Sequence, residues 1–75
     1  MNKNRRQELK RWMDKANELR DELERIAQDE QDSYDSIPEN LQCSERADNS
    51  EEAIELMEEA IGLIDDAIGA VEEIN

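Results

Sequence analysis

The second half of the chain is built from a seven-residue repeat, and this repeat restricts the folds that the chain can adopt. The units EEAIELM, EEAIGLI and DDAIGAV run from Glu51 to Val71, and the half-unit EEIN follows them. Within each unit, apolar residues return at spacings of three and four. Such spacing is typical of an α-helix whose apolar stripe packs against other helices.

The apolar side of this repeat is wider than one helical neighbour requires. Four positions in seven are apolar, in lines that begin at Ala53, Ile54, Leu56 and Met57. On a helical wheel they cover an arc of roughly 160°, whereas a two-stranded coiled coil uses two positions in seven. We therefore expect this helix to touch more than one neighbour.

The first half of the chain carries a heptad pattern of its own. Its apolar residues are spaced three and four apart, and they are Leu9, Trp12, Ala16, Leu19, Leu23 and Ile26. Residues 1–36 contain neither Gly nor Pro, so the pattern predicts one helix from about residue 3 to about residue 33. We expect this stripe, including Trp12, to lie in the core or in a dimer interface.

A short central segment separates the two helices. Pro38 disfavours helical backbone at the residue before it, which predicts a loop at residues 34–43. The second helix can begin at Ser44 or at Ser50. A start at Ser44 gives a helix over about 44–74, which matches the first helix in length. The sequence therefore predicts an all-α fold, an antiparallel two-helix hairpin of the coiled-coil kind.

A single hairpin cannot cover the wide apolar arc. We expect the domain, which spans residues 1–75, to form a homodimer or a higher homo-oligomer, most simply a four-helix bundle with two-fold symmetry. The hairpin also brings its basic start beside its acidic end. Compensating charges are therefore expected between two sets of residues: Arg5, Arg6, Lys10 and Arg11 on the first helix, and Glu72 and Glu73 on the second.

Composition excludes several classes of function. The 75 residues include 22 acids, nine basic residues and no His, which gives a net charge of −13. Such a charge repels a phosphate backbone, so direct nucleic-acid binding is not expected. No apolar run suits a membrane span, and no apolar stretch follows the basic start as in a signal peptide, which predicts a cytoplasmic protein. Without His, we expect no enzyme, no metal site and no cofactor.

The acids of the second helix form the strongest surface feature of the sequence. Regularly spaced carboxylates on a rigid helix can imitate DNA phosphates and occupy the basic channel of another protein. The same residues also suit a plain solvated face, since a high net charge favours solubility. The candidate partner-binding residues are Glu51, Glu52, Glu55, Glu58, Glu59, Asp65 and Asp66.

The central segment gathers a second set of polar residues. An aromatic ring could stack on a base, amides could read its edge, and a cation near a helix N-terminus could take a phosphate. The same groups could instead cap the helices and fix the turn. The residues of this candidate ligand-binding loop are Tyr34, Asn40, Gln42, Ser44 and Arg46. Beside them, the lone Cys43 is expected to be a buried, inert thiol; the alternative is a disulfide across the dimer axis, which a reducing cytosol disfavours.

The central segment also carries a resemblance to a known group of proteins. The stretch EQDSYDSIPENLQCSERADNSEEAIELMEEAI resembles small acidic proteins of phages and prophages of Firmicutes. These share a segment similar to YDN-PENLQ-SER between a charged helix and acidic heptads. Two departures from this segment are Ser36, where Asn is common, and Cys43, where a small residue is common. The matching residues are Tyr34, Asp35, Pro38, Glu39, Asn40, Leu41, Gln42, Ser44, Glu45 and Arg46. The resemblance covers essentially the whole chain.

This resemblance implies a phage protein that acts in an infected bacterial cell. By analogy with other small acidic phage proteins, it implies an accessory factor that antagonises a bacterial defence system by stoichiometric binding, as anti-CRISPR proteins and DNA mimics do. One alternative is a sponge that sequesters a nucleotide immune signal at a subunit interface. Another is a structural or assembly role in the phage. The expected partner is thus a host defence protein or a nucleotide signal.

Overall fold

The computed structural model describes residues 1–41 and 44–74, which form a helical hairpin. Helix α1 spans Lys3–Asp35, a short 3-10 helix spans Glu39–Leu41, and helix α2 spans Glu45–Glu72. The Cα atoms extend 59 Å along the hairpin and only 15 and 13 Å across it. The predicted all-helical hairpin is confirmed, and the described part of the chain contains no strand.

Side-chain and backbone caps define the two ends of α1. The helix begins after Asn2, whose Oδ1 accepts a hydrogen bond from the Arg5 backbone N–H at 2.8 Å. It ends at Ser36, whose backbone N–H and Oγ both donate to the carbonyl oxygen of Asp32, at 3.2 and 2.9 Å. Pro38 follows two residues later, where a proline commonly stops a helix.

Helix α2 starts at the earlier of the two positions that the sequence allowed. Ser44 is its N-cap, and the Ser44 Oγ accepts a hydrogen bond from the Ala47 backbone N–H at 3.2 Å. Ser50 lies inside the helix. The predictions for Gln42 and Cys43 fall outside the described residues.

Small side chains form the contact between the two helices. The buried residues of α1 are Ala16 and Ala27, and those of α2 are Ala47, Ile54 and Ile68. Half-buried apolar residues extend both lines at spacings of three and four: Leu9, Met13 and Leu23 on α1, and Met57, Ile61, Ile64 and Val71 on α2. We call this interhelical contact the inner seam. Its alanines let the backbones approach closely but bury little apolar area.

The predicted stripe of α1 divides between two sides of the helix. Its line of Leu9, Ala16 and Leu23 lies in the inner seam, whereas its line of Trp12, Leu19 and Ile26 does not. Ala16 is buried, but Trp12, Leu19 and Ile26 remain 43%, 61% and 42% exposed. The line one residue further along, which contains Met13 and Ala27, faces α2 instead. The physical reason is that two helices packed side by side bury about two heptad lines each, and α1 offers three lines with apolar residues.

Gly62 and Gly69 lie on the exposed side of α2. A methyl group added at either position would meet no atom within 4 Å, and neither glycine has a positive φ. Nothing in the hairpin therefore requires glycine at these positions.

We predict that Gly62→Ala and Gly69→Ala each raise the free energy of unfolding by about 0.4–1 kcal/mol, because Ala restricts the unfolded chain and fits the helix without strain. Urea unfolding followed by circular dichroism measures the change. A loss of stability would instead indicate that another backbone approaches these glycines in solution.

Candidate functional site

The carboxylates predicted to bind a partner all lie on α2, and all are exposed. They lie on the polar sides of the helix, from the line opposite the inner seam to the edge of the seam, where Asp65 meets Arg20 of α1 and Glu58 lines a groove with Ala27. We call this set the acidic surface, and its members are Glu51, Glu52, Glu55, Glu58, Glu59, Asp65 and Asp66. Because successive turns of the helix repeat the same positions, the surface follows α2 from residue 51 to residue 66.

Asp65 differs from the rest of the acidic surface. Its Oδ1 accepts a hydrogen bond from Arg20 Nη1 of α1 at 2.7 Å, and Asp21 accepts a second bond from the same guanidinium at 3.3 Å. Both hydrogen bonds raise the pKa of Arg20 above its usual value, and the bond to Asp65 contributes more than the bond to Asp21. Arg20 lies on a line of the inner seam, and its exposed ion pair with Asp65 joins the two helices at mid-length.

The other six carboxylates of the acidic surface have no such partner. Within residues 1–41 and 44–74, ion pairs join Arg20 to Asp21 and Asp65, and Arg25 to Asp29. The six carboxylates accept no hydrogen bond from the described residues either. Their charge is therefore available to a partner without first breaking an internal pair.

The predicted charge compensation at the open end of the hairpin involves no ion pair among the described residues. Arg5, Arg6, Lys10 and Arg11 are exposed, and the interhelical ion pair of the described chain lies at Arg20 instead. Helix α1 has no acid in its first turn and no base in its last. Both of its ends therefore carry charge of the sign that its own dipole disfavours.

The candidate ligand-binding loop is divided by the fold. Ser44 caps α2, and Asn40 is exposed on the 3-10 helix. Tyr34, in the last turn of α1, is half-buried and lines a groove with Gln31 and Glu58. The predicted base-stacking residue thus lies beside carboxylates of the acidic surface, which disfavour an anionic nucleotide there. Gln42 lies outside the described residues.

Arg46 is exposed near the start of α2 and lines two other grooves. One also contains Glu30 and Ser50, and the Ser50 Oγ donates a hydrogen bond to Glu30. The other contains Ser33 and Pro38. Tyr34 lines neither of these grooves, so the described residues do not bring the predicted stacking ring and the predicted phosphate-binding cation into one site.

One long side of the hairpin is apolar and exposed. A groove there is lined by Trp12, Ala16 and Leu19 of α1 and by Ile64 and Ala67 of α2, which shows that the exposed apolar lines of both helices share this side. We call this side the apolar face. Its exposed or half-buried members are Trp12, Leu19 and Ile26 on α1, and Ala53, Leu56, Ala60, Leu63, Ala67, Ala70 and Ile74 on α2.

The apolar face is the feature whose location sequence reasoning missed. The width of the repeat indicates that α2 needs a second neighbour, but it does not say which lines α1 would leave uncovered. Leu56 and Leu63 are 57% and 62% exposed, although the heptad pattern makes both look like core residues. The opposite side of the hairpin is polar, with a groove that contains Glu24, Gln28 and Glu58.

The described part of the chain offers neither a metal site nor a membrane-spanning helix. No group of three or more His, Cys, Asp or Glu residues there could hold a metal ion. None of the described helices is long and apolar enough to cross a membrane.

Comparison with known proteins adds no relative. No family model matches the chain, and neither the curated proteins nor the solved structures contain a match.

The cap of α2 gives a test of the role of Ser44. We predict that Ser44→Ala lowers the free energy of unfolding by about 1 kcal/mol, because the Ala47 N–H loses its acceptor, whereas Ser44→Asp retains stability since Asp is an equally good N-cap. Urea unfolding of the three proteins measures this. Equal losses for both replacements would contradict the capping role.

Proposed function

We propose that this protein acts by stoichiometric binding rather than by catalysis, and that its acidic surface occupies a basic, nucleic-acid-binding surface of another protein. The observation that supports this is the set of six exposed carboxylates on α2 that pair with no described residue. Carboxylates kept free along a rigid helix can each meet an Arg or Lys of a partner, and such charge-assisted contacts are stronger than neutral hydrogen bonds.

The geometry of a helix suits imitation of a nucleic acid. A helix of 28 residues is about 42 Å long. Over residues 51–66, about 22 Å of this length, α2 holds its carboxylates at repeated positions, much as a duplex holds its phosphates. A basic channel that evolved to bind phosphates attracts such a surface at long range, so association is expected to be fast and sensitive to salt.

The resemblance to phage proteins supplies the proposed biological setting. It supports a phage accessory protein that antagonises a bacterial defence system inside the host cell, in the manner of an anti-CRISPR protein or a DNA mimic. In this proposal the partner is a host defence protein whose nucleic-acid channel is blocked.

Self-association is part of the same proposal. The chain has an accessible surface of 5884 Å², whereas a monomeric protein of its mass exposes roughly 4,700 Å². The difference exceeds the roughly 800 Å² that each partner buries in a standard interface. The apolar face contains the exposed large apolar side chains of both helices. Its burial between copies of the chain supports a homodimer or a higher homo-oligomer.

The two alternative functions have less support. Within one chain Tyr34 and Arg46 line different grooves, so a nucleotide sponge would have to join them across a subunit interface. A structural or assembly role in the phage would use the hairpin as a scaffold and does not require carboxylates that are free of internal pairs.

The acidic surface can be tested with matched charge reversals. We predict that Glu55→Lys/Glu58→Lys weakens binding to the partner at least tenfold, because two attractive contacts become repulsive. The control is Asp14→Lys/Glu18→Lys, which changes the net charge equally at exposed positions of α1. The measurement is capture from a nuclease-treated lysate of a Firmicutes host, followed by displacement with duplex DNA.

The outcomes separate the three functions. If the acidic surface binds a basic channel, the captured protein is a nucleic-acid-binding protein and duplex DNA displaces it. The control variant still captures this protein, and Glu55→Lys/Glu58→Lys does not. Equal binding by both variants would contradict it. In native mass spectrometry of the recovered protein, a gain of a few hundred daltons would favour the sponge. Capture of a phage protein from infected cells alone would favour assembly.

A further inference from the structure

Charge is unevenly divided along the hairpin. The open half, residues 1–19 and 65–75, holds six basic residues and seven acids, for a net charge of −1. The loop half, residues 20–64, holds three basic residues and fifteen acids, for a net charge of −12. Any surface that covers the apolar face must meet these two different ends.

The apolar face has a centre that is common to both helices. On α1, Trp12 and Ile26 lie seven residues on either side of Leu19. The groove that joins Leu19 to Ile64 and Ala67 places this level near the middle of the apolar stretch of α2, which runs from Ala53 to Ile74. A two-fold axis through this level, perpendicular to the helices, therefore maps the apolar face onto itself.

We propose that a second copy of this chain covers the apolar face with its loop at the opposite end, so that α1 packs on α1 and α2 packs on α2. Trp12 of each copy then lies opposite Ile26 of the other, and Leu19 meets Leu19 on the axis. This inference rests on the proposed self-association, and it adds the face, the orientation and the shape of the binding surface.

Charge complementarity selects this orientation. With the loops at opposite ends, each loop half of −12 lies beside an open half of −1. With the loops at the same end, the two halves of −12 lie together, and the repulsion between them rises steeply because it grows with the product of the charges. The basic first turns of α1 also come beside the acidic last turns of the other α1, where each offsets the unfavourable dipole of its neighbour.

The edge of the apolar face supplies a specific pair. Lys15 borders the apolar groove, and Glu22 lies one heptad further along the same edge. In the proposed orientation, Lys15 of one copy lies opposite Glu22 of the other, twice per dimer. Further out on this edge, Glu8 of one copy lies opposite Asp29 of the other, and their like charges give no attraction. The pair of Lys15 and Glu22 is therefore the one that tests the orientation.

This orientation joins the two acidic surfaces. Since α2 packs on α2, the outermost lines of both helices, which contain Glu52, Glu59 and Asp66, lie on one side of the bundle and run in opposite directions. The dimer then offers a single two-fold surface with two antiparallel rows of carboxylates, as a duplex offers two antiparallel rows of phosphates. A basic channel would bind one dimer on this side.

A distance measurement tests the orientation without any partner. The variant Glu39→Cys/Cys43→Ser carries a nitroxide on the exposed 3-10 helix. Because residue 39 lies about 25–30 Å from the level of Leu19, electron–electron double resonance should give a label separation of roughly 50–60 Å. A separation below roughly 30 Å would place the loops together and overturn the proposal.

Charge reversal at the edge gives a second test. Glu22→Lys should raise the dimer dissociation constant roughly fivefold to tenfold relative to Glu24→Lys, which has the same net charge but borders the polar groove on the other side. Lys15→Glu/Glu22→Lys should return it to within about twofold of the wild type. Sedimentation equilibrium measures these constants, and circular dichroism checks that each variant folds.

A dimer with both loops at the same end would give the opposite result. With the loops at the same end, Glu22 would face the carboxylates of α2, and Glu22→Lys would tighten the dimer relative to Glu24→Lys. A chain that stays monomeric at high concentration would overturn the self-association as well. Neither result depends on capture of a partner, so failure of the proposed partner binding leaves this inference standing. A dimer of the other orientation would leave the partner binding and the self-association standing.

Discussion

The width of the apolar arc on α2 is the constraint on which the rest of the structure depends. One helix packed beside α2 covers about two of its four apolar lines, and α1 does cover the lines of Ile54 and Met57. The lines of Ala53 and Leu56 are left outside. Close packing along the inner seam decides which apolar lines of α1 face α2. The remaining apolar line of α1, which contains Trp12, Leu19 and Ile26, is therefore exposed. The apolar face, the polar groove and the acidic surface are all consequences of this division.

Sequence periodicity identified the helices and the two possible starts of α2, since Pro38, Ser44 and the heptads act locally. It could not identify the inner seam of α1. The stripes through Trp12 and through Met13 differ by one residue, and both contain apolar side chains at spacings of three and four. Only the packing against α2 distinguishes them, and it favours the stripe with Ala27, whose small side chain lets the backbones approach.

The acidic surface was visible in the sequence because it depends on local periodicity, whereas the ion pair of one of its members was not. Exposure of the carboxylates follows from the repeat alone. The pairing of Asp65 with Arg20 depends on how far α2 is shifted along α1, which no local pattern encodes. The same limit applies to Tyr34 and Arg46, which are close in sequence yet line different grooves.

The small size of the inner seam has a consequence for how this protein exists in solution. Its five buried residues are three alanines and two isoleucines, and none of the described large side chains is fully buried. Burial on this scale offsets only a small part of the conformational entropy of so long a hairpin. In the proposed dimer, folding and association are therefore expected to form one equilibrium, in which dilution unfolds the chain instead of merely separating folded subunits.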